Sequence, residues 1–195
     1  MVSAAGVFLT PGSGGLADHR TLVDLDEALS ARGVAVRRYD FEYRRAGKKS
    51  PGRADRLIGE LAAAVRGFAD ELGVATDQIV AGGRSMGGRV ASMAAAEGLD
   101  LAGLVLLSYP LHPPGKPDKL RIDHWPELTA PCLFVSGDND QFGRPDEFDT
   151  HLGSLAGPVT TLWLDGGAHD PKRADHRAAI VGAVTDWLGL GQADV

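Results

Sequence analysis

Residues Ala81-Gly-Gly-Arg-Ser-Met-Gly-Gly-Arg-Val90 surround one serine with four glycines, directly after an apolar, strand-like run and directly before a helical pattern. Within them, Gly83-Arg-Ser-Met-Gly87 matches the pattern Gly-x-Ser-x-Gly. At a strand-to-helix junction this pattern makes a sharp turn that exposes the serine hydroxyl, and the residues two before and two after the serine come too close to their neighbours for a β-carbon. A phosphate-binding loop would need Gly-Lys-Ser or Gly-Lys-Thr, which the sequence lacks. The stretch therefore predicts a nucleophile, Ser85, at the end of a strand.

Outward from this turn, short apolar runs alternate with longer amphipathic ones. Such an alternation predicts a parallel sheet with right-handed crossovers. Strands are predicted at Gly6–Thr10, Val34–Tyr39, Gln78–Gly82, Gly103–Ser108, Cys132–Ser136 and Val159–Leu164. Helices are predicted at about 16–32, 53–72, 86–97, 144–154 and 173–188. We therefore expect a single three-layer α/β domain over residues 1–195, with about six parallel strands in the order 2-1-3-4-5-6, helices on both faces and no separate cap domain.

A serine nucleophile in this kind of fold requires an acid and then a histidine, each in a loop after a later strand. The fifth predicted strand runs into Ser136-Gly-Asp-Asn-Asp-Gln-Phe-Gly143, and the sixth into Asp165-Gly-Gly-Ala-His-Asp-Pro171. Of the six histidines, only His169 follows a predicted strand directly. The spacing from the glycine that ends the fifth strand favours Asp140 as the acid over Asp138, which we expect to tighten the turn. The predicted catalytic residues are Ser85, Asp140 and His169.

The oxyanion that forms when a carbonyl is attacked needs N–H donors, and one is the amide after the nucleophile, that of Met86. We expect the other from Ser13, in the loop Thr10-Pro-Gly-Ser-Gly-Gly15 after the first strand. The first and third strands are neighbours at the switch point of the expected order, so this loop and Ser85 converge there. The residues expected to contact the substrate are Gly12, Gly14, Arg84, Tyr109 and His112.

The connection at 109–130 is proline-rich and has no clear helical period. A loop of this length in a compact domain is usually functional, since ordering it costs entropy. We expect Tyr109–Pro117 to roof the site, with His112 near the cleft. A rigid surface crossover is the alternative.

With these features the chain resembles the α/β-hydrolases, in a compact form with a core like that of dienelactone hydrolase. More narrowly, it resembles the family named after testis-expressed protein 30, which also includes a domain of a subunit of the NSL histone acetyltransferase complex. The segments that carry the resemblance are Gly82–Ser92, Tyr109–Pro117, Gly137–Gly143 and Gly166–Lys172. The resemblance implies a hydrolase fold with a Ser-Asp-His triad and a poorly defined substrate. Pro11 departs from it, because such proteins commonly have histidine before the first glycine.

Composition and charge narrow the class of protein further. The chain has 195 residues, 44% of them hydrophobic, and a formal net charge of −6, which argues against nucleic acid as a partner. Met1–Thr10 carry no basic side chain, so we expect no signal peptide, and no apolar run approaches the ~20 residues that span a bilayer. The single cysteine, Cys132, cannot form an intramolecular disulfide, and no metal-binding motif is present. We expect a cytoplasmic monomer or homodimer that acts on a small acyl substrate without cofactor, metal or membrane.

Basic residues are concentrated in one segment of this acidic chain. Residues 37–56 carry eight basic and three acidic side chains, a net charge of 8 − 3 = +5. The basic ones are Arg37, Arg38, Arg44, Arg45, Lys48, Lys49, Arg53 and Arg56. Because the segment follows the second strand on the rim of the predicted site, it predicts an anionic substrate or leaving group. A solvated loop that only aids solubility explains the cluster equally well.

Two other functions compete with hydrolysis. Gly12-Ser-Gly-Gly-Leu-Ala17 fits the dinucleotide pattern Gly-x-Gly-x-x-Gly/Ala, and Asp40 stands where a ribose-binding acid would be expected in an oxidoreductase. That interpretation leaves Ser85, Asp140 and His169 unexplained. A non-catalytic interaction module on a hydrolase fold is the other alternative, since a fold does not guarantee activity.

Overall fold

The computed structural model describes residues 1–51 and 55–191, so Arg53 of the basic segment lies outside the described residues. The sheet in these residues contains six parallel strands in the order β2-β1-β3-β4-β5-β6, which confirms the predicted topology. The strands are β1 (Gly6–Thr10), β2 (Ala35–Arg38), β3 (Ile79–Arg84), β4 (Gly103–Leu107), β5 (Cys132–Gly137) and β6 (Val159–Leu164).

α-Helices occupy four of the five described crossovers, all but the one between β4 and β5, and a last helix follows β6. They are α1 (Arg20–Ser30), α2 (Glu42–Arg45), α3 (Asp55–Leu72), α4 (Met86–Ala96), α5 (Pro145–His151) and α6 (Ala174–Trp187). The sequence pattern did not predict α2, because four residues are too few to show a helical period and Tyr43 is the one buried residue among them. No helix in the described part of the chain is both long and apolar enough to cross a membrane.

Each face of the sheet is covered by its own pair of helices. Because successive strand residues point to opposite faces, Phe8 of β1 packs into a core with α3 and α4, whereas Val7 and Leu9 pack into a second core with α1 and α6. A parallel sheet covered on both faces requires apolar residues at nearly every strand position, as β1 and β4 have. The carboxyl ends of β1 and β3 are thereby left as the open edge where loops from both strands meet.

The connection between β4 and β5 is tied into the core by aromatic side chains. Tyr109 and Trp125 are both fully buried, and their rings lie 5.6 Å apart. The Tyr109 hydroxyl donates a hydrogen bond to the carbonyl of Arg121 at 2.8 Å and accepts one from Trp125 Nε1 at 3.3 Å. Burial raises the pKa of Tyr109 to about 12, so this hydroxyl stays a donor at any physiological pH. The first residue of the connection is therefore an anchor of the loop.

His124, next to this anchor, gives folding a dependence on pH. Its Nε2 lies 2.8 Å from Ser92 Oγ, and burial together with the positive charge of Arg89 lowers its pKa to about 4. The unfolded chain has a histidine pKa of about 6.5, so the folded state favours the neutral imidazole. The resulting stabilisation is complete above about pH 6.5 and is lost as the pH falls towards about 4.

We expect the free energy of unfolding to decrease across this window by about 2 kcal/mol more in the wild type than in the His124→Gln variant, after discounting for partial solvent exposure. Glutamine keeps a polar group for Ser92 but does not titrate. Urea unfolding at a series of pH values measures the difference. Parallel pH dependences for the two proteins would contradict the assignment.

Candidate active site

Ser85 occupies a strained turn between β3 and α4. Its backbone has φ 51° and ψ −116°, a region that non-glycine residues rarely adopt, at a cost of roughly 1–3 kcal/mol. The Ser85 N–H donates to the carbonyl of Leu107 at 2.8 Å, which ties the turn to β4. A β-carbon at Gly83 would lie 2.0 Å from the carbonyl oxygen of Thr10, and one at Gly87 would lie 2.4 Å from Thr10 Oγ1. The two glycines therefore allow β1 to pack against the turn, for the reason that the sequence pattern indicates.

A continuous chain of hydrogen bonds joins the three residues that the sequence singled out. Ser85 Oγ lies 2.9 Å from His169 Nε2, and His169 Nδ1 lies 2.7 Å from Asp140 Oδ2. The Asp140 carboxylate is fully buried, and its other oxygen accepts the N–H of Phe142 at 2.9 Å. Because an ionised carboxylate only accepts hydrogen bonds, the proton of a neutral His169 sits on Nδ1. Nε2 is then free to accept the serine proton.

Close packing of two loops brings the acid and the histidine together. A β-carbon at Gly137, the last residue of β5, would lie 2.2 Å from the carbonyl of Gly167, and the Asn139 N–H donates to that carbonyl at 2.9 Å. The side chain of Asp138 turns away to Asn139 Nδ2, at 3.2 Å. The structure thus places Asp140, rather than Asp138, against His169.

Arg84 contacts the histidine loop, which the sequence did not indicate. Its Nη2 donates to the carbonyl of His169 at 2.9 Å and lies 3.2 Å from Asp170 Oδ1, which is also 3.2 Å from His19 Nε2. Burial lowers the pKa of Arg84, and the charges of Asp170 and Asp140 partly oppose that effect. Arg84 lines the cavity as expected, but its guanidinium is engaged in positioning His169.

The carboxyl ends of β1 and β3 open into a cavity of about 590 Å³, within the usual range for small-molecule sites. The loop after β1 forms one wall, and a β-carbon at Gly12 would lie 3.5 Å from the β-carbon of Ser85. The residues that line the cavity are Gly12, Ser13, Gly14, Gly15, His19, Pro51, Arg84, Ser85, Met86, Arg89, Pro110, Arg121, Phe142, His169 and Asp170. The cavity thus surrounds the reactive atoms of Ser85 and His169.

Both predicted oxyanion donors lie at this cavity. Met86 is the first residue of α4, so its N–H has no acceptor within the helix. The loop that contains Ser13 is held by two side chains from the α2 region: Tyr43 donates its hydroxyl to the Ser13 carbonyl at 2.7 Å, and Arg44 Nε donates to the Gly15 carbonyl at 3.1 Å. With its carbonyls held from outside, the loop is fixed in place before any substrate arrives.

Tyr109 and His112 do not line the cavity, which corrects the expectation that they contact the substrate. Tyr109 is fully buried in the aromatic core, and His112 is 4% exposed, with Nε2 3.0 Å from Glu147 Oε1 and Nδ1 2.9 Å from the carbonyl of Pro113. Their neighbours Pro110 and Arg121 reach the cavity instead. The proline-rich loop therefore contributes part of the wall, but through other residues than those predicted.

Four arginines of the basic segment make contacts within the fold. Arg37 pairs with Glu71 at 2.6 Å and Arg38 with Asp26 at 2.8 Å, and Arg45 lies over the ring of Tyr39. Together with the contact of Arg44 to the Gly15 carbonyl, these interactions serve structure and loop position. Among the described residues of this segment, Pro51 is the one that lines the cavity.

The dinucleotide interpretation also finds no support in the geometry. Asp40 Oδ1 accepts the N–H of Ala17 at 2.8 Å, so this carboxylate braces the glycine-rich loop. The following helix, α1, begins only at Arg20, whereas the dinucleotide pattern should open directly into a helix. Within the described residues, no group of three or more His, Cys, Asp or Glu side chains could hold a metal ion.

A parallel sheet whose central strand is followed by a strained serine at the cavity, with an aspartate and a histidine on later loops, defines the class of α/β-hydrolase folds. Residues 3–180 match the family model described as alpha/beta hydrolase domain, and the chain belongs to that family.

Solved structures share the fold over almost the whole chain. Est1E from Butyrivibrio proteoclasticus, in a structure with bound ferulic acid, is 20% identical, with 95% of this chain and 88% of that chain covered and a TM-score of 0.77. Dienelactone hydrolase from Anabaena variabilis is 23% identical, with coverage of 95% and 86% and a TM-score of 0.70. A monoacylglycerol lipase from Paleococcus ferrophilus is 17% identical, with coverage of 96% and 96% and a TM-score of 0.73.

Proposed function

We propose that the protein is a serine hydrolase that cleaves an ester or thioester of a small acyl substrate. The observation that carries the proposal is the unbroken chain from Ser85 Oγ to His169 Nε2 at 2.9 Å and from His169 Nδ1 to Asp140 at 2.7 Å, at the edge of a cavity. A site that had lost its activity would not need these three groups to be aligned, and their alignment therefore argues against a non-catalytic module. The motif Tyr109–Pro117 further leads us to propose that the chain belongs with the testis-expressed-protein-30-like branch of the family.

In the first half of the reaction, Ser85 Oγ attacks the acyl carbon while its proton passes to His169 Nε2. The oxygen of the attacked carbonyl becomes an oxyanion, which accepts hydrogen bonds from the Met86 and Ser13 N–H groups. As the bond to the leaving group breaks, His169 returns the proton to the departing oxygen or sulfur. The product of this half is an acyl-enzyme on Ser85.

In the second half, water attacks the acyl carbon and His169 Nε2 takes the proton of that water. Collapse of the second tetrahedral intermediate breaks the bond to Ser85 Oγ, and His169 protonates the serine. Asp140 stays ionised throughout and stabilises the imidazolium form of His169. The names of the similar structures, Est1E with bound ferulic acid, a dienelactone hydrolase and a monoacylglycerol lipase, support an acyl ester as the substrate.

The test is covalent labelling. We expect a fluorophosphonate probe to modify the wild-type protein on the peptide that contains Ser85, and a panel of acyl esters and acyl-CoA thioesters to yield an acyl-enzyme of matching mass for the preferred acyl group. A Ser85→Ala variant should remain unlabelled. Absence of labelling in the folded wild type, or equal labelling of the variant, would overturn the proposal.

A further inference from the structure

Two arginines line the cavity beside Ser85 and have no role in the chemistry described above. Arg89 lies one turn after Ser85 on the same face of α4, and its N–H donates to the Ser85 carbonyl at 3.1 Å. Arg121 enters the same cavity from the connection between β4 and β5. Two different elements thus bring positive charge to one wall of the site.

Neither guanidinium is neutralised by the fold. Arg89 Nε is buried and has no hydrogen-bond partner among the residues that the structure describes. In the same described ranges, no carboxylate lies within 4.0 Å of either arginine, although Arg38, Arg84 and Arg177 each have one. Asp170, which also lines the cavity, already pairs with Arg84 and His19. The wall at Arg89 and Arg121 is therefore uncompensated positive charge.

This arrangement is unfavourable without an anion. Burial and the nearby charge of Arg89 both lower the pKa of Arg121, so the two guanidinium groups are close enough to repel one another electrostatically. Both arginines are half-buried, and bringing two partly desolvated like charges together without a counter-ion raises the free energy of the folded state. The backbone of both residues is fixed beside the cavity: the Arg121 N–H donates to the Leu111 carbonyl at 2.8 Å, the Arg121 carbonyl accepts the Tyr109 hydroxyl, and Arg89 belongs to α4. Both side chains therefore extend from fixed points at the cavity.

We propose that Arg89 and Arg121 together bind an anionic group of the substrate, of the size of a carboxylate, while its acyl carbon lies at Ser85. The inference rests on the proposed hydrolase function and names the substrate class for that site. Guanidinium groups suit this purpose because their planar forks match the geometry of a carboxylate. The net charge of −6 makes the local positive wall a specific feature of the site.

The experiment compares three chromogenic esters: para-nitrophenyl valerate, the para-nitrophenyl monoester of glutaric acid, and the valerate ester of a carboxylated para-nitrophenol. The second carries a carboxylate on the acyl chain and the third on the leaving group, so the two charged esters report which part of the substrate meets the arginines. The readout is the ratio of kcat/KM for each charged ester to that of the neutral ester. The test variants are Arg89→Gln and Arg121→Gln. The matched control is Lys119→Gln, which removes one positive charge from the loop that contains Arg121; Lys119 is exposed and does not line the cavity.

We expect the wild type to prefer one of the charged esters, and each arginine variant to lower that ratio about tenfold or more, since hydrogen bonds to charged groups carry such effects. Lys119→Gln should leave the ratio unchanged. The inference would be overturned if the wild type hydrolysed the neutral ester and preferred neither charged ester. It would also be overturned if both arginine variants lost kcat/KM equally on charged and neutral esters. In either case the hydrolase function would stand. A wild type that hydrolyses none of the esters and is not labelled at Ser85 would overturn the function and the inference with it.

Discussion

Replacing Ser85 by alanine is expected to lower kcat by a factor of roughly 10⁴ or more with the fold intact. His169 Nε2, 2.9 Å from the serine oxygen, would lose the group whose proton it accepts, and no acyl-enzyme could form at this position. Alanine keeps the β-carbon and the strained backbone at φ 51°, so the free energy of unfolding should stay within about 1 kcal/mol of the wild type. Steady-state kinetics with an acyl ester and urea unfolding measure the two effects separately.

Ser136→Ala is the matched control for this change. Ser136 is a buried serine on β5, and its hydroxyl has no hydrogen-bond partner among the described residues. Loss of that hydroxyl should alter neither activity nor stability appreciably, because no paired donor or acceptor is left behind. If the Ser85→Ala variant kept more than about a tenth of the wild-type activity, Ser85 would not be the nucleophile.

Asp140→Asn is expected to lower kcat by roughly 10⁴-fold. The Phe142 N–H donates to Asp140 Oδ1 at 2.9 Å, so an asparagine would direct its amide oxygen there and its NH₂ towards His169. The amide would then donate to His169 Nδ1, which forces the imidazole proton onto Nε2. That tautomer cannot accept the proton of Ser85, and catalysis stops at its first step.

Asp138→Asn separates this effect from a general disturbance of the loop. Asp138 lies two residues away, contacts Asn139 at 3.2 Å and has no hydrogen bond to His169 among those found in the described residues. We expect a loss of no more than a few-fold, of the order of a lost surface hydrogen bond. The measurement is kcat of both variants, after circular dichroism has shown that both are folded. A larger loss for Asp138→Asn than for Asp140→Asn would reverse the assignment.

The strand positions and the position of the serine were predictable because they depend on patterns short in sequence, and the strand order followed from the rules for parallel α/β sheets. The strands β1 and β6 were predicted at their observed bounds: β1 is an apolar run buried on both faces, and β6 is a partly exposed edge strand rich in β-branched and apolar residues. The turn at Ser85 was predictable because any side chain at Gly83 or Gly87 would clash with Thr10, so both positions require glycine. His169 was predictable because it is the histidine in a loop directly after a predicted strand.

The environment of the site depended on contacts between distant segments. The sequence determined that Ser85, Asp140 and His169 follow the carboxyl ends of strands, because each comes shortly after a strand-like run and the glycines at 83 and 87 are steric requirements of the turn. Only the tertiary structure decided that Arg84 braces the His169 loop, that Tyr109 anchors the core and that Arg44 supports the Gly15 loop. Long side chains bind whichever acceptor lies within their reach after folding, and composition does not specify that acceptor. The same reason explains why Arg89 and Arg121 line the cavity, whereas none of the described basic residues at 37–56 does.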